Sequence, residues 1–210
     1  MSTVTNLRPA ADAPNLTEAE QAKFEQWFDA RFEQKMKERE AKHVPAMSII
    51  ATKGTLDWAY PPFILASTGA ALGYEVNVFF TFYGLLLLKK DLDLEVTPVG
   101  NPAMPMKMPM GPEWFRGIDW PIPNMLKSNL PGFERVATSL MKETFRKKGV
   151  ASVPELRDLA LEAGAKLYAC QMTVDVFGFK QSDFIPEVAG WVGAASFLPM
   201  AQKSDITLFV

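Results

Sequence analysis

One cysteine, Cys170, occurs in the 210-residue chain, and its position suits a reactive thiol. It closes the apolar run Leu167-Tyr168-Ala169-Cys170, which follows Gly164 and leads into Gln171-Met172-Thr173. The run reads as a strand, and its last residue then lies at the carboxyl edge of a sheet, where ligands and chemistry gather in open α/β folds. A short helix is expected next, capped by Thr173 and ended by Gly178. Free N–H groups at a helix start favour thiolate over thiol. Cysteine is also a small buried hydrophobe, so two readings stand here: a nucleophile, or core filler. Candidate assistants to a nucleophile are Thr52, Lys53 and Thr55 in the loop after the first strand, with Gln171 and Thr173 beside the thiol. Lys53 would add positive charge, and Thr52 or Thr55 a hydroxyl donor. Asp57 and Asp175 would oppose ionisation, because negative charge raises a thiol pKa. Each of these residues also has an ordinary role as a cap or a surface group.

Composition removes several alternatives. A lone cysteine excludes a disulfide within the chain and fits a reducing compartment. The single histidine, His43, ends a charged run and excludes a histidine-rich metal site. A net charge of −2 gives no electrostatic reason to expect nucleic acid as a partner. The N-terminus lacks the basic start and apolar core of a secretory leader, so a cytoplasmic protein is expected. Gly54 stands alone, with no glycine-rich phosphate loop around it.

The elements that would position the thiol follow from periodicity. Residues 1–16 read as a disordered tail. Thr17 and Glu20 have capping-box spacing and open an amphipathic helix within 17–45. Its apolar residues are Phe24, Trp27, Phe28, Phe32 and Met36 on a mainly charged background. This stripe suits packing on its own domain or a sister subunit, or docking of another protein. Met47–Ala51 is the first strand. Trp58–Leu72 is an apolar helix with Pro61-Pro62 near its first turn, ended by Gly73. Glu75–Thr81 is a second strand and Tyr83–Leu88 a short helix. Residues 58–88 carry one charge, Glu75, but Gly69, Gly73 and Asn77 interrupt them. They suit a buried helix and strand better than a membrane span; membrane contact stays as the less favoured alternative.

Residues 98–131 differ in kind. Proline recurs, and 103–110 alternate methionine with other residues. A long loop or arm is expected rather than a sheet element. It suits packing on a neighbouring subunit, a lid, a partner surface or, last, soft-metal binding. Helices return at Phe133, up to Gly149, and at Ser152-Val153-Pro154-Glu155, another capping box, up to Gly164. Ser182 suits the cap of one more turn. A final helix at Trp191–Gln202 and a strand at Ile206–Val210 complete the chain. Strands alternating with helices imply an α/β fold: a compact, mostly parallel sheet with helices on both faces.

Four stretches together resemble the DsrE/DsrF/DsrH-like sulfur-transfer family, in its longer DsrE-like branch, sometimes labelled peroxiredoxin-like. They are Ile50-Ala51-Thr52-Lys53-Gly54-Thr55-Leu56-Asp57-Trp58-Ala59-Tyr60-Pro61-Pro62; Val78-Phe79-Phe80-Thr81-Phe82-Tyr83-Gly84; Gly100-Asn101-Pro102-Ala103-Met104-Pro105-Met106; and Ala169-Cys170-Gln171-Met172-Thr173-Val174-Asp175. The resemblance covers residues 46–210 and leaves the N-terminal helix outside. It implies a homo-oligomeric α/β domain that carries sulfane sulfur on Cys170. The implied partners are TusA-like sulfur carriers and rhodanese-like sulfurtransferases. Some relatives carry a second cysteine, absent here, so a mechanism with an internal resolving thiol is not carried over, nor is the peroxiredoxin label. The chemistry expected is exchange of sulfur through a persulfide, which needs neither metal nor redox cofactor. That describes a carrier rather than a multi-turnover enzyme. Two other readings stand beside it: an oligomeric scaffold with an inert Cys170, and a thiol redox sensor.

Overall fold

The computed structural model describes residues 17–97, 107, 111–119 and 131–210. They fall into two units, one ending at His43 and the other beginning at Val44. The first unit holds helix α1, Glu18–Lys42. The Glu20 carboxylate accepts the Thr17 N–H at 2.9 Å and the Thr17 hydroxyl at 2.6 Å, so the expected cap is formed. No residue of α1 is buried. The tail at 1–16 and most of the Met/Pro-rich arm lie outside the described residues. Within the arm, Glu113–Arg116 makes one turn, α3, with Pro112 at its N-cap, where a missing N–H costs least.

The second unit is built on five strands: β1 Ala46–Ala51, β2 Glu75–Phe80, β3 Lys166–Cys170, β4 Gly190–Val192 and β5 Ile206–Phe209. They form one sheet in the order β4-β3-β2-β1-β5, and every pair is parallel. All five strands therefore present their carboxyl ends along one edge. Helix α2, Leu56–Ala71, crosses from β1 to β2. Helices α4, Phe133–Lys147, and α5, Val153–Glu162, lie between β2 and β3. Helix α6, Gln171–Phe177, follows β3, and α7, Ala194–Gln202, returns the chain to β5 on the far side of β1.

Side-chain alternation along parallel strands assigns two faces. Phe80 lies in the larger core with Phe63 of α2, their rings 5.6 Å apart. Its neighbour Phe79 points to the other face and stacks on Phe197 of α7 at 4.8 Å. Cys170 belongs to that second, smaller cluster. Helices thus cover both faces, as the apolar strands require.

Three boundaries depart from the sequence reading. Helix α2 begins at Leu56, so Pro61 and Pro62 sit in its second turn rather than its first. The run from Trp191 is not one helix. Gly190–Val192 pairs with β3, Tyr168 opposite Gly190 and Cys170 opposite Val192, and Gly193 caps α7. Three residues are too few to show strand alternation, and the small residues beyond them read as helix. Finally, Phe82–Leu88 is a 3-10 helix. No described helix is long and apolar enough to cross a membrane.

A buried cation fastens the end of the 3-10 helix. Arg157 of α5 is 7% exposed, and its Nη1 donates to the carbonyls of Leu87 at 3.2 Å and Lys89 at 2.8 Å. These are among the last carbonyls of that helix, which lack partners within it. Arg157→Ala strips the donor and leaves them unpaired, so a loss of about 2–4 kcal/mol is expected. Urea unfolding of the two proteins checks it, read as a lower midpoint at equal slope.

Candidate functional site

The site is assembled where β2 and β3 end side by side. Phe80 pairs with Ala169, so the next residue on each strand, Thr81 and Cys170, are also neighbours. Thr81 is fixed through its backbone, whose N–H donates to the Ala51 carbonyl at 3.0 Å while its own carbonyl accepts from Gly84 at 3.0 Å. The chain then turns sharply into the 3-10 helix. Phe82 takes a φ of 48°, a left-handed conformation that a bulky residue holds only when its surroundings impose it. Part of that restraint is visible: the Phe82 N–H donates to Thr173 Oγ1 at 3.1 Å.

Cys170 is the N-cap of α6. The Thr173 cap inferred from the sequence is therefore displaced by three residues, because the helix starts directly after the strand. In this position the sulfur stands at the start of the helix, where the N–H groups of Met172 and Thr173 favour its thiolate without closing a capping bond to the side chain. The hydroxyls of Thr173 and Thr81 also hydrogen-bond to it, and the two hydroxyl oxygens lie 3.4 Å apart. Burial pushes the Cys170 thiol up. The Thr173 and Thr81 hydroxyls and the two backbone N–H groups outweigh burial, and the net pKa lies below that of an ordinary thiol. The residue is 3% exposed, with Phe79 and Phe197 beneath it.

The other candidate assistants point elsewhere. Thr52 donates from its hydroxyl to the Val210 carbonyl at 3.1 Å, and its N–H goes to the same oxygen at 2.9 Å; it fastens β1 to β5. Lys53 sits over the Trp58 ring, 3.2 Å from its centroid, a cation–π contact. Thr55 is the N-cap of α2 but makes no capping bond, and its hydroxyl oxygen is buried without a partner among the described residues. Lys53 and Thr55 line a cavity of about 270 Å³ with Trp58, Tyr83 and Leu86. Gln171 is held by Asp175 at 2.7 Å and Gln181 at 3.3 Å. Asp57 accepts the Thr97 N–H at 2.9 Å. Only Thr173 among the named assistants hydrogen-bonds to the sulfur, and Thr81 joins it.

The surface around the buried sulfur is apolar. Phe82, Tyr83, Met172 and Val176 are exposed, and Tyr83 stacks on Phe177 at 5.8 Å. A thiol with a lowered pKa, two neighbouring hydroxyls at a helix start and no second cysteine in the chain suits nucleophilic exchange with another molecule. Thr81→Val removes one of those hydroxyls while leaving the Phe82 N–H its acceptor. The Cys170 ionisation should move up, and iodoacetamide alkylation at neutral pH should slow several-fold. Alkylation rate against pH checks it.

A parallel five-stranded α/β domain ending a strand on a thiol at a helix start defines a class, and the chain belongs to the DsrE/DsrF/DrsH-like family, whose match spans residues 43–209. The chain is 56% identical over 164 residues to the sulfur carrier protein DsrE2 of Allochromatium vinosum, covering 78% of this chain and 97% of that one. It is also 31% identical over 163 residues to the uncharacterized protein YrkE of Bacillus subtilis, covering 78% and 95%. Both alignments leave out about as much of this chain as precedes residue 43.

Proposed function

We propose that this protein is a sulfur carrier that holds sulfane sulfur on Cys170. The observation that carries the reading is a single buried thiol at a helix start, whose ionisation the Thr81 and Thr173 hydroxyls favour. The likeness to a protein named a sulfur carrier supports it. In the loading step the Cys170 thiolate attacks the terminal sulfur of a donor persulfide, R–S–SH. The donor S–S bond breaks, R–S⁻ leaves, and Cys170–S–SH forms. In the unloading step an acceptor thiolate attacks that outer sulfur and becomes a persulfide, and the Cys170 thiolate returns. Each step exchanges one S–S bond for another, so no external oxidant or reductant is consumed. The same donors that favour the thiolate as attacker favour it as leaving group, which lets sulfur move in either direction.

Donor and acceptor on this reading are protein thiols, of the kind presented by TusA-like carriers and rhodanese-like sulfurtransferases. The test is intact mass after incubation with polysulfide. The expected result is a gain of one or more sulfur atoms, removable by a thiol reductant and absent in Cys170→Ala. No gain on the wild type, or equal gain on the variant, overturns the reading. Peroxide serves as the comparison: a carrier loads from polysulfide faster than it oxidises, and a redox sensor does the reverse.

A further inference from the structure

Helix α1 stands outside the family match, which begins at residue 43, and the Allochromatium carrier spends 97% of its length on the shared part. That relative has no room for a 25-residue helix, so α1 adds something other than the thiol site. Its structure says what. Phe24, Phe28, Phe32 and Met36 recur every four residues, and successive phenylalanine rings stack at 6.2 and 6.1 Å. Trp27 extends the row beside Phe24, with ring centroids 6.0 Å apart. These side chains are 46–61% exposed. A row at this spacing is a ridge of the type that interdigitates with an identical ridge on a second helix.

Charge selects the occupant. The first half of α1 carries Glu18, Glu20, Glu25 and Asp29 against Lys23 alone. The second half carries Arg31, Lys35, Lys37, Arg39 and Lys42 against three glutamates. The helix is acidic at its start and basic at its end. Laid antiparallel on a copy of itself, each acidic half meets a basic one, and the helix dipoles also oppose. Laid parallel, like halves meet. An anionic membrane is disfavoured, because half of the helix would be repelled by it. We infer that α1 is a self-association helix, pairing antiparallel with α1 of a second copy of this chain. With four aromatic side chains about half exposed on each helix, pairing covers on the order of 1,000 Å² in total. That is the small end of specific interfaces, so association is expected at micromolar concentration.

The inference is independent of the carrier reading, and its test leaves sulfur transfer aside. A nitroxide is attached to a cysteine introduced as Ala19→Cys in a full chain that also carries Cys170→Ser. Label-to-label distance is measured at tens of micromolar protein. With a rise of 1.5 Å per residue, antiparallel pairing centred between Phe28 and Phe32 separates the labels by about 30 Å, whereas parallel pairing brings them within about 20 Å. The expected result is a distance near 30 Å that disappears in Phe28→Ala/Phe32→Ala. Alanine preserves the helix, which circular dichroism verifies. A short distance, no defined distance, or a 30 Å distance that survives the double substitution each overturns the inference.

Discussion

Thr173→Val is expected to slow alkylation of Cys170 at neutral pH by about tenfold or more while leaving the fold intact. Thr173 favours the thiolate twice, through its hydroxyl and its backbone N–H, and valine removes only the hydroxyl. A hydrogen bond to a charged group contributes about 1.5–3 kcal/mol, and 1.36 kcal/mol is a factor of ten in ionisation. The sign with pH follows. The wild-type thiol ionises below an ordinary cysteine, so at any given pH it holds more thiolate than the variant, which has to reach higher pH for the same fraction. The two rate profiles should therefore differ most below the ionisation range of the variant and converge in alkali, where both are thiolates. The same substitution also takes the acceptor from the Phe82 N–H, so Phe82 loses a restraint on its φ of 48°. Thr173→Ser keeps the hydroxyl and should restore most of the rate. A profile that drops equally at all pH values would instead mean that access to the sulfur, not its ionisation, had changed.

That arrangement was partly legible in the sequence. Cys170 at the end of an apolar run, the glycine stops at Gly149, Gly164 and Gly178, and both capping boxes are local signals, and local hydrogen bonding realises them. At Ser152 the N–H reaches Glu155 at 2.7 Å, and the Glu155 N–H returns to the serine hydroxyl at 3.4 Å. Thr81 was not legible as a site residue, although its stretch carried part of the family likeness. Its place beside Cys170 depends on the register of β2 against β3, which are separated by the 3-10 helix, the whole arm and then α4 and α5. A threonine at the end of one buried strand, one step beyond the residue paired with Ala169, is the signal once the register is known. Gln171 shows the converse. Adjacent in sequence to the thiol, it is drawn off by Asp175 four residues on, the usual neighbour across one helical turn. Lys53 and Thr55 follow β1 at the carboxyl edge of the sheet, but line the cavity beside Trp58.

Gly84→Ala is expected to cost about 3–5 kcal/mol and to disable the thiol site together with the fold around it. The requirement is for space, not for an unusual φ. A β-carbon on Gly84 would lie inside the contact shell of the Ala51 carbonyl oxygen, 2.6 Å from the Ala51 carbonyl carbon and 3.0 Å from the Thr52 nitrogen. All three are backbone atoms of β1 and its exit, held by the sheet, and cannot swing aside as a side chain would. The turn at 81–84 must then lift away from β1. That breaks the Thr81 N–H bond to Ala51 and moves Phe82, whose N–H is tied to Thr173. From the other side, a β-carbon on Gly54 would meet the carbonyl of Tyr83, so two glycines let the loops after β1 and β2 nest into each other. Thermal unfolding measures the stability loss, and the alkylation profile of the folded fraction measures the site. An alanine variant with wild-type stability and a wild-type Cys170 profile would show that the turn can shift without disturbing the thiol, and that its close packing on β1 does not hold the hydroxyl of Thr81 in place.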